Sequence, residues 1–380
     1  MNNATSYKHG TQKAIAMFDD GKQQTLRLIG ASVSRMPGSV MDQLLAMRAD
    51  ICRYNHPRGL SMALLYCGGW FLQWLEGPAE AVEQAWIHTQ SHPAHTSLRV
   101  IHRSMGPSSL TEPLHIVTLH SRDKATDVAR RLYQVERERA LGWSAEPAEI
   151  WQRMSAPCQV QSDDVMATVA RRVVIAVTSE YTESVDLIKA IAERRHSVVN
   201  YQRLADSNIS NGDVGAAYVD VACANHVARV QALSRRALTN SMVKLSLHQM
   251  HCAVLLLGNR PQPAANLAAS VANLVASIPT RPAVRVIGPS HQICSSAAEC
   301  FAGMPDLDIA EIHTAMAGLA QVDAVLNLIA DGGFEAALPP AVASADSGHC
   351  ADGSAAGHAS LALDTVRSFD GATPRVDLYL

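Results

Sequence analysis

Residues 60–77, LSMALLYCGGWFLQWLEG, contain two apolar runs separated by a Gly-Gly pair. Gly68 and Gly69 can adopt the positive φ angles of a tight turn, so the sequence predicts a hairpin of two antiparallel strands. Side chains alternate between the faces of a strand, which divides the second strand into two sets: Trp70, Leu72 and Trp74, and Phe71, Gln73 and Leu75. The Gln73 amide, among large apolar side chains, needs a partner: either a neighbouring backbone group or a ligand with its own donors and acceptors.

The segments that flank this hairpin complete a βαββαβ order. The pattern predicts a strand, a helix, the hairpin, a second helix and two strands, at Leu26–Ser32, Ser39–Tyr54, Leu60–Gly77, Ala79–Ser91, Leu98–Arg103 and Leu114–Leu119. Ser39 can cap the first helix, and Pro78 precedes the second. This order predicts a ferredoxin-like α+β sandwich, in which two helices cover one face of an antiparallel sheet.

Residues 25–105 resemble the BLUF family, which comprises flavin-binding blue-light sensors. The resemblance is carried by LRLIGAS in the first strand, RYNHPRGL at the end of the first helix and, above all, GGWFLQWLEG in the hairpin. It implies that FAD lies between the two helices and that its ring contacts an asparagine and a glutamine. The matching residues in this chain are Asn55 and Gln73.

Three departures from the family pattern fall on residues that would serve the flavin. Gly30 replaces the tyrosine that exchanges an electron and a proton with the excited flavin, Ala94 replaces a basic residue, and Thr111–Val117 lacks the Trp-Ser-Met element. A fold survives such losses more easily than a ligand site does, because a ligand needs each polar partner. We therefore expect absent or weak flavin binding, with Asn55 and Gln73 as a vestigial site. The alternative is a functional FAD-binding blue-light or redox sensor.

The composition points to a protein of the cytoplasm. The chain has 380 residues, a net charge of −3 and eight cysteines without CxxC pairs. The small net charge gives no reason to expect nucleic acid as a partner, and the scattered cysteines are typical of reduced thiols. The first two dozen residues show no signal-peptide pattern, and no apolar run has membrane-spanning length. We therefore expect a cytoplasmic protein that does not insert into a membrane.

The pattern along the chain predicts five parts. These are a flexible tail (1–24), a BLUF-like domain (25–120), a helical connector (121–168), an α/β domain (169–335) and a disordered tail rich in Gly, Ala and Ser (336–380). The connector is strongly charged and has a thin apolar stripe at Val128, Leu132, Val135 and Leu141. Such a helix either covers the outer face of the sheet and contacts the next domain, or is simply solvated.

From Arg171 onward, a buried strand, a polar loop and a helix predict the start of a doubly wound α/β domain. Further strands and helices are predicted at Ala216–Val221, Val227–Leu233, Ala253–Leu257, Ala264–Ile278, Val284–Ile287 and Val322–Ile329. The order resembles a small P-loop GTPase of the prokaryotic MglA-like kind. A P-loop requires glycines and a lysine around the phosphates, but Ser179–Ser184 contains neither, and Val185 stands near the lysine position. The resemblance therefore implies a pseudo-GTPase without nucleotide hydrolysis.

Other catalytic or metal-binding patterns are weak. Two short clusters carry potential metal ligands, but no further ligand completes either of them locally: His88, His92 and His95, and His248, His251 and Cys252. No GxSxG elbow is present. Thr182 and Ser184 can cap the helix that follows them, or help its N-terminus to bind an anion. We expect a non-enzymatic regulatory or scaffold protein that acts through protein partners or self-association.

Overall fold

The computed structural model describes residues 24–158, 171–178, 181–246, 250–278, 282–304, 308–313 and 319–330. These residues belong to the first of two compact units, which spans residues 1–336. Residues 1–23 of the predicted N-terminal tail and all of the predicted C-terminal tail lie outside the described part of the chain. No described helix combines the length and the apolar composition needed to cross a membrane.

The N-terminal half has the predicted βαββαβ order, and its ferredoxin-like fold is confirmed. Its elements are β1 (Thr25–Ser34), α1 (Val40–Asn55), β2 (Ser61–Cys67), β3 (Trp70–Gly77), α2 (Ala79–Ser91), β4 (His95–Gly106) and β5 (His115–His120). The strand order is β5-β2-β3-β1-β4, in which β5 is parallel to β2 and the other neighbours are antiparallel. The hairpin turn forms as expected, because Gly68 and Gly69 have φ angles of +52° and +82°.

Helices cover both faces of this sheet. Phe71 and Leu75 of β3 pack with the buried side chains of α1 and α2. Trp74, on the other face, packs with α3 (Ala125–Ala140) and α4 (Pro147–Ser155), which lie in the predicted connector. Its ring is 5.9 Å from that of Trp151 in α4. The connector therefore covers the outer face of the sheet, as the first of its two alternatives predicted.

One member of the predicted apolar stripe of the connector is placed differently. Val128, Leu132 and Val135 are buried against the sheet. Leu141 is 77% exposed, because α3 ends at Ala140 and the chain turns away there. The helix end, rather than the spacing of apolar residues, decides which side chains reach the core.

The second half contains a mostly parallel sheet with helices on both faces. Its elements are β6 (Arg171–Thr178), α5 (Tyr181–Arg195), β7 (Val199–Asp206), β8 (Val214–Ala222), β9 (Val227–Ser234), α6 (Ser241–Ser246), β10 (Met250–Leu256), α7 (Pro261–Ala276), β11 (Ala283–Gly288), α8 (His291–Ala298), β12 (Ile309–His313) and α9 (Leu319–Ala330). The order is β12-β11-β10-β6-β9-β8-β7, in which β7 and β8 are antiparallel additions beside β9. α7 and α8 pack on one face, and α5 and α9 on the other. The sequence did not predict β7, α6, α8 or β12.

The two halves share one twelve-stranded sheet, because β5 pairs with β7. The antiparallel register runs from His115 opposite Asp206 to His120 opposite Tyr201. The sequence predicted two modules joined through a helical connector, and it gave no indication of this edge-to-edge pairing. We refer to the β5–β7 pair as the seam.

Polar contacts beside the seam add to the strand pairing. The carboxylate of Glu112, three residues before β5, accepts hydrogen bonds from the backbone N–H (3.2 Å) and the hydroxyl (2.8 Å) of Ser207. From α1, the guanidinium of Arg48 donates to the carbonyls of Ile209 (2.8 Å) and Asn211 (3.0 Å) in the β7–β8 loop. Both halves therefore supply side chains to the same junction.

A buried ion pair fixes the end of the connector on the second half. The side chains of Arg229 in β9 and Asp220 in β8 are 5% and 0% exposed, and Nε and Nη2 of the arginine donate to the carboxylate at 2.8 Å. Arg229 also donates to the carbonyls of Ala156 (2.7 Å) and Pro157 (3.0 Å), just after α4. Each buried charge is thus compensated by an opposite charge and by hydrogen bonds, as burial of an ion pair requires.

Replacement of Arg229 by Met should lower the free energy of unfolding by about 3–5 kcal/mol, because Asp220 would stay buried without a cation. Urea denaturation of the parent and the variant measures this difference. The double variant Arg229→Met/Asp220→Leu removes both charges and should recover most of the loss. A single variant as stable as the parent would contradict the assignment of this pair as the anchor of the connector.

Candidate functional site

Gln73 lies in the middle of β3, on the face that α1 and α2 cover, and is 7% exposed. Its Oε1 accepts a hydrogen bond from the hydroxyl of Thr89 in α2 at 2.9 Å. Its Nε2 faces the sulfur of Met62 in β2 at 3.8 Å. The partners of the amide are therefore two side chains of the same domain, and not the neighbouring backbone group that the sequence suggested as one alternative.

Asn55 is the last residue of α1 and is fully buried. Its Nδ2 donates to the carbonyl of Pro113 at 2.8 Å, two residues before β5. Its Oδ1 is buried and has no hydrogen-bond partner in the described part of the chain. A buried acceptor without a partner is costly, so this oxygen is the one polar atom of the predicted site that still suits a ligand donor.

Gly30 lies directly opposite Gln73 in the β1–β3 register. A Cβ atom at Gly30 would overlap with Cζ3 and Cη2 of Trp86, far inside van der Waals contact. Trp86 belongs to α2 and is 6% exposed. Its indole ring therefore occupies the space into which any side chain on residue 30 would extend.

Ala94 lies in the turn between α2 and β4. Its carbonyl accepts from the backbone N–H of Arg35 at 2.8 Å, and its own N–H donates to Nδ1 of His92 at 3.2 Å. Arg35 is exposed, so this neighbour does not place a buried basic side chain beside Ala94. Ala94 itself therefore contributes only backbone hydrogen bonds at this turn.

The predicted histidine cluster of α2 is assembled as a column of rings. His88 stacks on Tyr54 of α1 with centroids 6.4 Å apart, and successive centroids of His88, His92 and His95 are 6.0 and 5.7 Å apart. His95 also packs on Phe71, and its Nδ1 is 2.8 Å from the hydroxyl of Ser32. No group of three His, Cys, Asp or Glu side chains among the described residues could hold a metal ion.

Burial shifts the titration of His95. Removal from water, together with the nearby His92 and His88, lowers the pKa of His95 from its usual 6.5 to about 4. The second cluster is only partly visible, because His248 lies outside the described residues. His251 accepts the backbone N–H of Val173 at 3.2 Å, which is a contact between neighbouring strands.

Glu76 is a buried polar residue of the N-terminal half that sequence reasoning missed. Glu76, near the end of β3, is 1% exposed, and its carboxylate accepts from the N–H groups of Ser109 (2.6 Å) and Leu110 (2.8 Å). The hydroxyl of Ser108 (2.8 Å) and the indole N–H of Trp74 (3.0 Å) complete its partners. The glutamate thereby holds the loop that leads into β5. A charged residue inside an otherwise apolar strand was the sequence signal for it.

The described residues fit a flavin at one atom only. Asn55 offers an unpartnered acceptor, but Gln73 is engaged by Thr89, and the ring of Trp86 covers Gly30. The arrangement is that of a packed helix–sheet interface, so no reaction step can be derived through a flavin here. The side chains of the predicted nucleotide loop, Ser179–Ser184, lie outside the described residues.

The family model for BLUF, sensors of blue-light using FAD, matches residues 26–108. The match agrees with the βαββαβ order and confirms the resemblance seen in the sequence. Residues 26–108 are therefore a BLUF domain. The match does not extend to the second half of the chain.

The solved structures that match this chain share little sequence with it. The photo-activated state of BlsA is 18% identical, covers 34% of this chain and 91% of that chain, and has a TM-score of 0.26. The dark state of BlrB is 24% identical, covers 31% of this chain and 86% of that chain, and has a TM-score of 0.23. BlrP1 of Klebsiella pneumoniae in a calcium complex is 15% identical, covers 79% of this chain and 78% of that chain, and has a TM-score of 0.25. None of the curated proteins matches the chain. At these TM-scores the assignment rests on the family model and on the element order.

The contact between Gly30 and Trp86 predicts strong coupling between the two positions. Gly30→Tyr should lower the free energy of unfolding by about 1–3 kcal/mol through overpacking, and Trp86→Ala by about 3–5 kcal/mol through a cavity. The loss of unfolding free energy in the double variant should be smaller than the sum of the two single losses by at least about 1 kcal/mol, because the tyrosine refills the cavity. Chemical denaturation of the four proteins gives the coupling energy.

A control for this cycle uses the exposed neighbour Ile87, which is 53% exposed on the same helix. Gly30→Tyr combined with Ile87→Ala should show additive effects, because Ile87 does not cover Gly30. Additive effects in the Trp86 cycle as well would contradict the placement of the indole ring over β1.

The lowered pKa of His95 predicts acid destabilisation. Between pH 6.5 and about 4 the unfolded chain binds a proton at this histidine that the folded protein does not bind, so stability is lost as the pH falls through this window. His95→Gln cannot titrate and should flatten this part of the curve of unfolding free energy against pH. The control is His120→Gln, which makes the same substitution at an exposed histidine and shows how far the change of residue alone alters the curve. Parallel curves for the parent and His95→Gln would contradict the assignment.

Proposed function

We propose that this protein is a non-catalytic regulatory or scaffold protein whose BLUF domain has lost its light response. The observation that carries the proposal is the indole ring of Trp86 over Gly30. The light reaction of the family, as the resemblance implies it, needs a tyrosine on this strand to exchange an electron and a proton with the flavin. Here the strand supplies neither that tyrosine nor room for its ring.

Loss of the flavin itself is part of the same proposal. The hydroxyl of Thr89 satisfies the carbonyl of Gln73, and the ring column from Tyr54 to His95 joins α1 to α2. These contacts are made by side chains in the region where the family binds its cofactor. They support a domain that is stable without a ligand between its helices.

The second candidate function is an FAD-binding sensor. One observation favours it, namely the buried Oδ1 of Asn55, which has no partner among the described residues. In such a sensor Asn55 and Gln73 would hold the flavin ring, and the flavin would supply redox chemistry. The hydrogen bond between Gln73 and Thr89 would then have to be exchanged for a bond to the ligand.

For the second half we propose a pseudo-GTPase-like domain that acts through its surface. Support comes from a parallel core of five strands, from helices on both faces and from α5 directly after β6. The segment Ser179–Ser184 between them contains neither glycine nor lysine. Without these residues the loop cannot surround and neutralise a nucleotide phosphate in the usual way.

Protein partners or self-association would use surfaces such as the outer edge of β4. This strand ends the twelve-stranded sheet, and no described strand pairs with its outer edge. It carries Val100 and Met105, which are 47% and 54% exposed. An open strand edge with exposed apolar side chains favours contact with another chain.

An absorption spectrum of the purified protein across the near-ultraviolet and blue, with and without added FAD and blue light, tests the proposal. We expect no protein-bound flavin band and no change on illumination. A band that shifts to longer wavelength under blue light would overturn the proposal and establish the sensor. A flavin band without a light-induced shift would overturn the loss of the cofactor but not the loss of the light response.

A further inference from the structure

A cavity of about 390 Å³ lies beside the seam, on the side of the second half. Its walls come from β7, the loop before β8, the turn after β9 and α7, and they include Asp206, Asn211, Arg235, Arg236 and Asn240. A second cavity of about 290 Å³ shares the wall residue Thr239 and reaches Glu112 and Lys244. The walls include none of the residues of the predicted flavin site or of the predicted nucleotide loop.

The cations at these cavities have no acidic partners. Arg235, Arg236 and Lys244 are exposed, and none of their side chains makes an ion pair or a hydrogen bond with another residue in the described ranges. Three unpaired cations around two adjoining cavities favour an anion, because an anion is attracted to each of them.

The two carboxylates in the walls are already engaged. Asp206 accepts from the backbone N–H of Asn208 at 3.0 Å. Glu112 accepts from Ser207, as described above, and from the hydroxyl of Ser241 at 3.1 Å. These acids hold the loops of the seam. The walls of the two cavities contain three cations and two carboxylates, so positive charge is in excess.

Asn240 adds an uncharged donor to the wall. Asn240 is 4% exposed as a whole residue. Its Oδ1 accepts a hydrogen bond from the backbone N–H of Met242 at 3.0 Å. This bond fixes the orientation of the amide, and Nδ2 donates to no acceptor in the described part of the chain. An amide donor of fixed orientation beside two unpaired guanidinium groups is suited to an oxyanion.

We propose that this cavity binds a phosphorylated small molecule, with Arg235 and Arg236 as the phosphate contacts and Asn240 as an additional donor. A planar guanidinium group can donate two hydrogen bonds to two oxygens of one phosphate. The cavity volume lies in the range of small-molecule sites. The proposal goes beyond the function proposed above and does not depend on whether flavin is bound. Because Asp206 of β7 lines the cavity and pairs with His115 of β5, the ligand would lie against the strand that joins the two halves.

Isothermal titration of the full chain with inorganic pyrophosphate tests this site. We expect saturable binding that weakens with added salt, and at least about tenfold weaker binding by Arg235→Gln/Arg236→Gln, because charge-assisted hydrogen bonds are lost. Asn240→Asp keeps an acceptor for Met242 but replaces the donor by a negative charge, so it should also weaken binding at least about tenfold.

The control is Arg137→Gln, which removes an exposed arginine of α3 at a distance from the cavity walls. It should bind pyrophosphate like the parent. Thermal unfolding shows whether each variant is folded, and the arginine variants should melt like the parent because these side chains are exposed and unpaired. Absence of pyrophosphate binding by the parent, or equal affinity of the double variant and the control, would overturn the proposal. Binding of pyrophosphate at this cavity is independent of whether the protein shows a flavin absorption band. The proposal of a phosphate site and the proposal of a lost light response can therefore fail separately.

Discussion

The pairing of β5 with β7 holds the two halves of the chain in one sheet, and much of the remaining arrangement depends on it. β5 lies between β2 of the BLUF domain and β7 of the second half, so its backbone groups are hydrogen bonded on both sides. A shift of β5 relative to either neighbour would break a ladder of such bonds. Glu76 holds the loop that precedes β5, and Glu112 holds the loop that follows β7. The relative position of the halves is therefore set by backbone pairing and reinforced by two carboxylates.

The residues predicted to contact flavin have a second role in this arrangement. Asn55 donates to the carbonyl of Pro113, which is the neighbour of Glu112 in the chain. Gln73 connects β3 to α2 through Thr89. Both amides thus join a helix of the BLUF domain to its sheet or to the seam. Their presence in the sequence is explained by these contacts whether or not a cofactor is bound.

Local patterns in the sequence predicted the N-terminal fold well, because its hairpin, caps and helix boundaries are set by nearby residues such as Gly68, Gly69 and Ser39. The strands β7 and β12 were missed because their own residues carry no such local signal. VNYQRLAD in β7 has no continuous apolar run, and Asn200 and Gln202 are polar although they are buried, so the pattern did not indicate a strand between β5 and β8. The short α8 likewise gave little periodicity. At the site, sequence reasoning identified Asn55, Gln73 and Gly30 as positions of interest. It could not find the partner of Gln73 or the ring over Gly30, because Thr89 and Trp86 approach through tertiary packing.

The contact between Gly30 and Trp86 shows how a BLUF domain can carry glycine, where the family resemblance implies a tyrosine, and stay folded. Protein interiors are close-packed, and removal of a large side chain without compensation costs about 3–5 kcal/mol, a large part of the stability of a domain. Here the space above Gly30 on β1 is filled by an indole ring from α2, which lies over the residue that pairs with Gln73. The same ring that packs this part of the core leaves no room for a tyrosine at residue 30. Close packing of the core and exclusion of an aromatic side chain from this position of β1 are therefore two consequences of one contact.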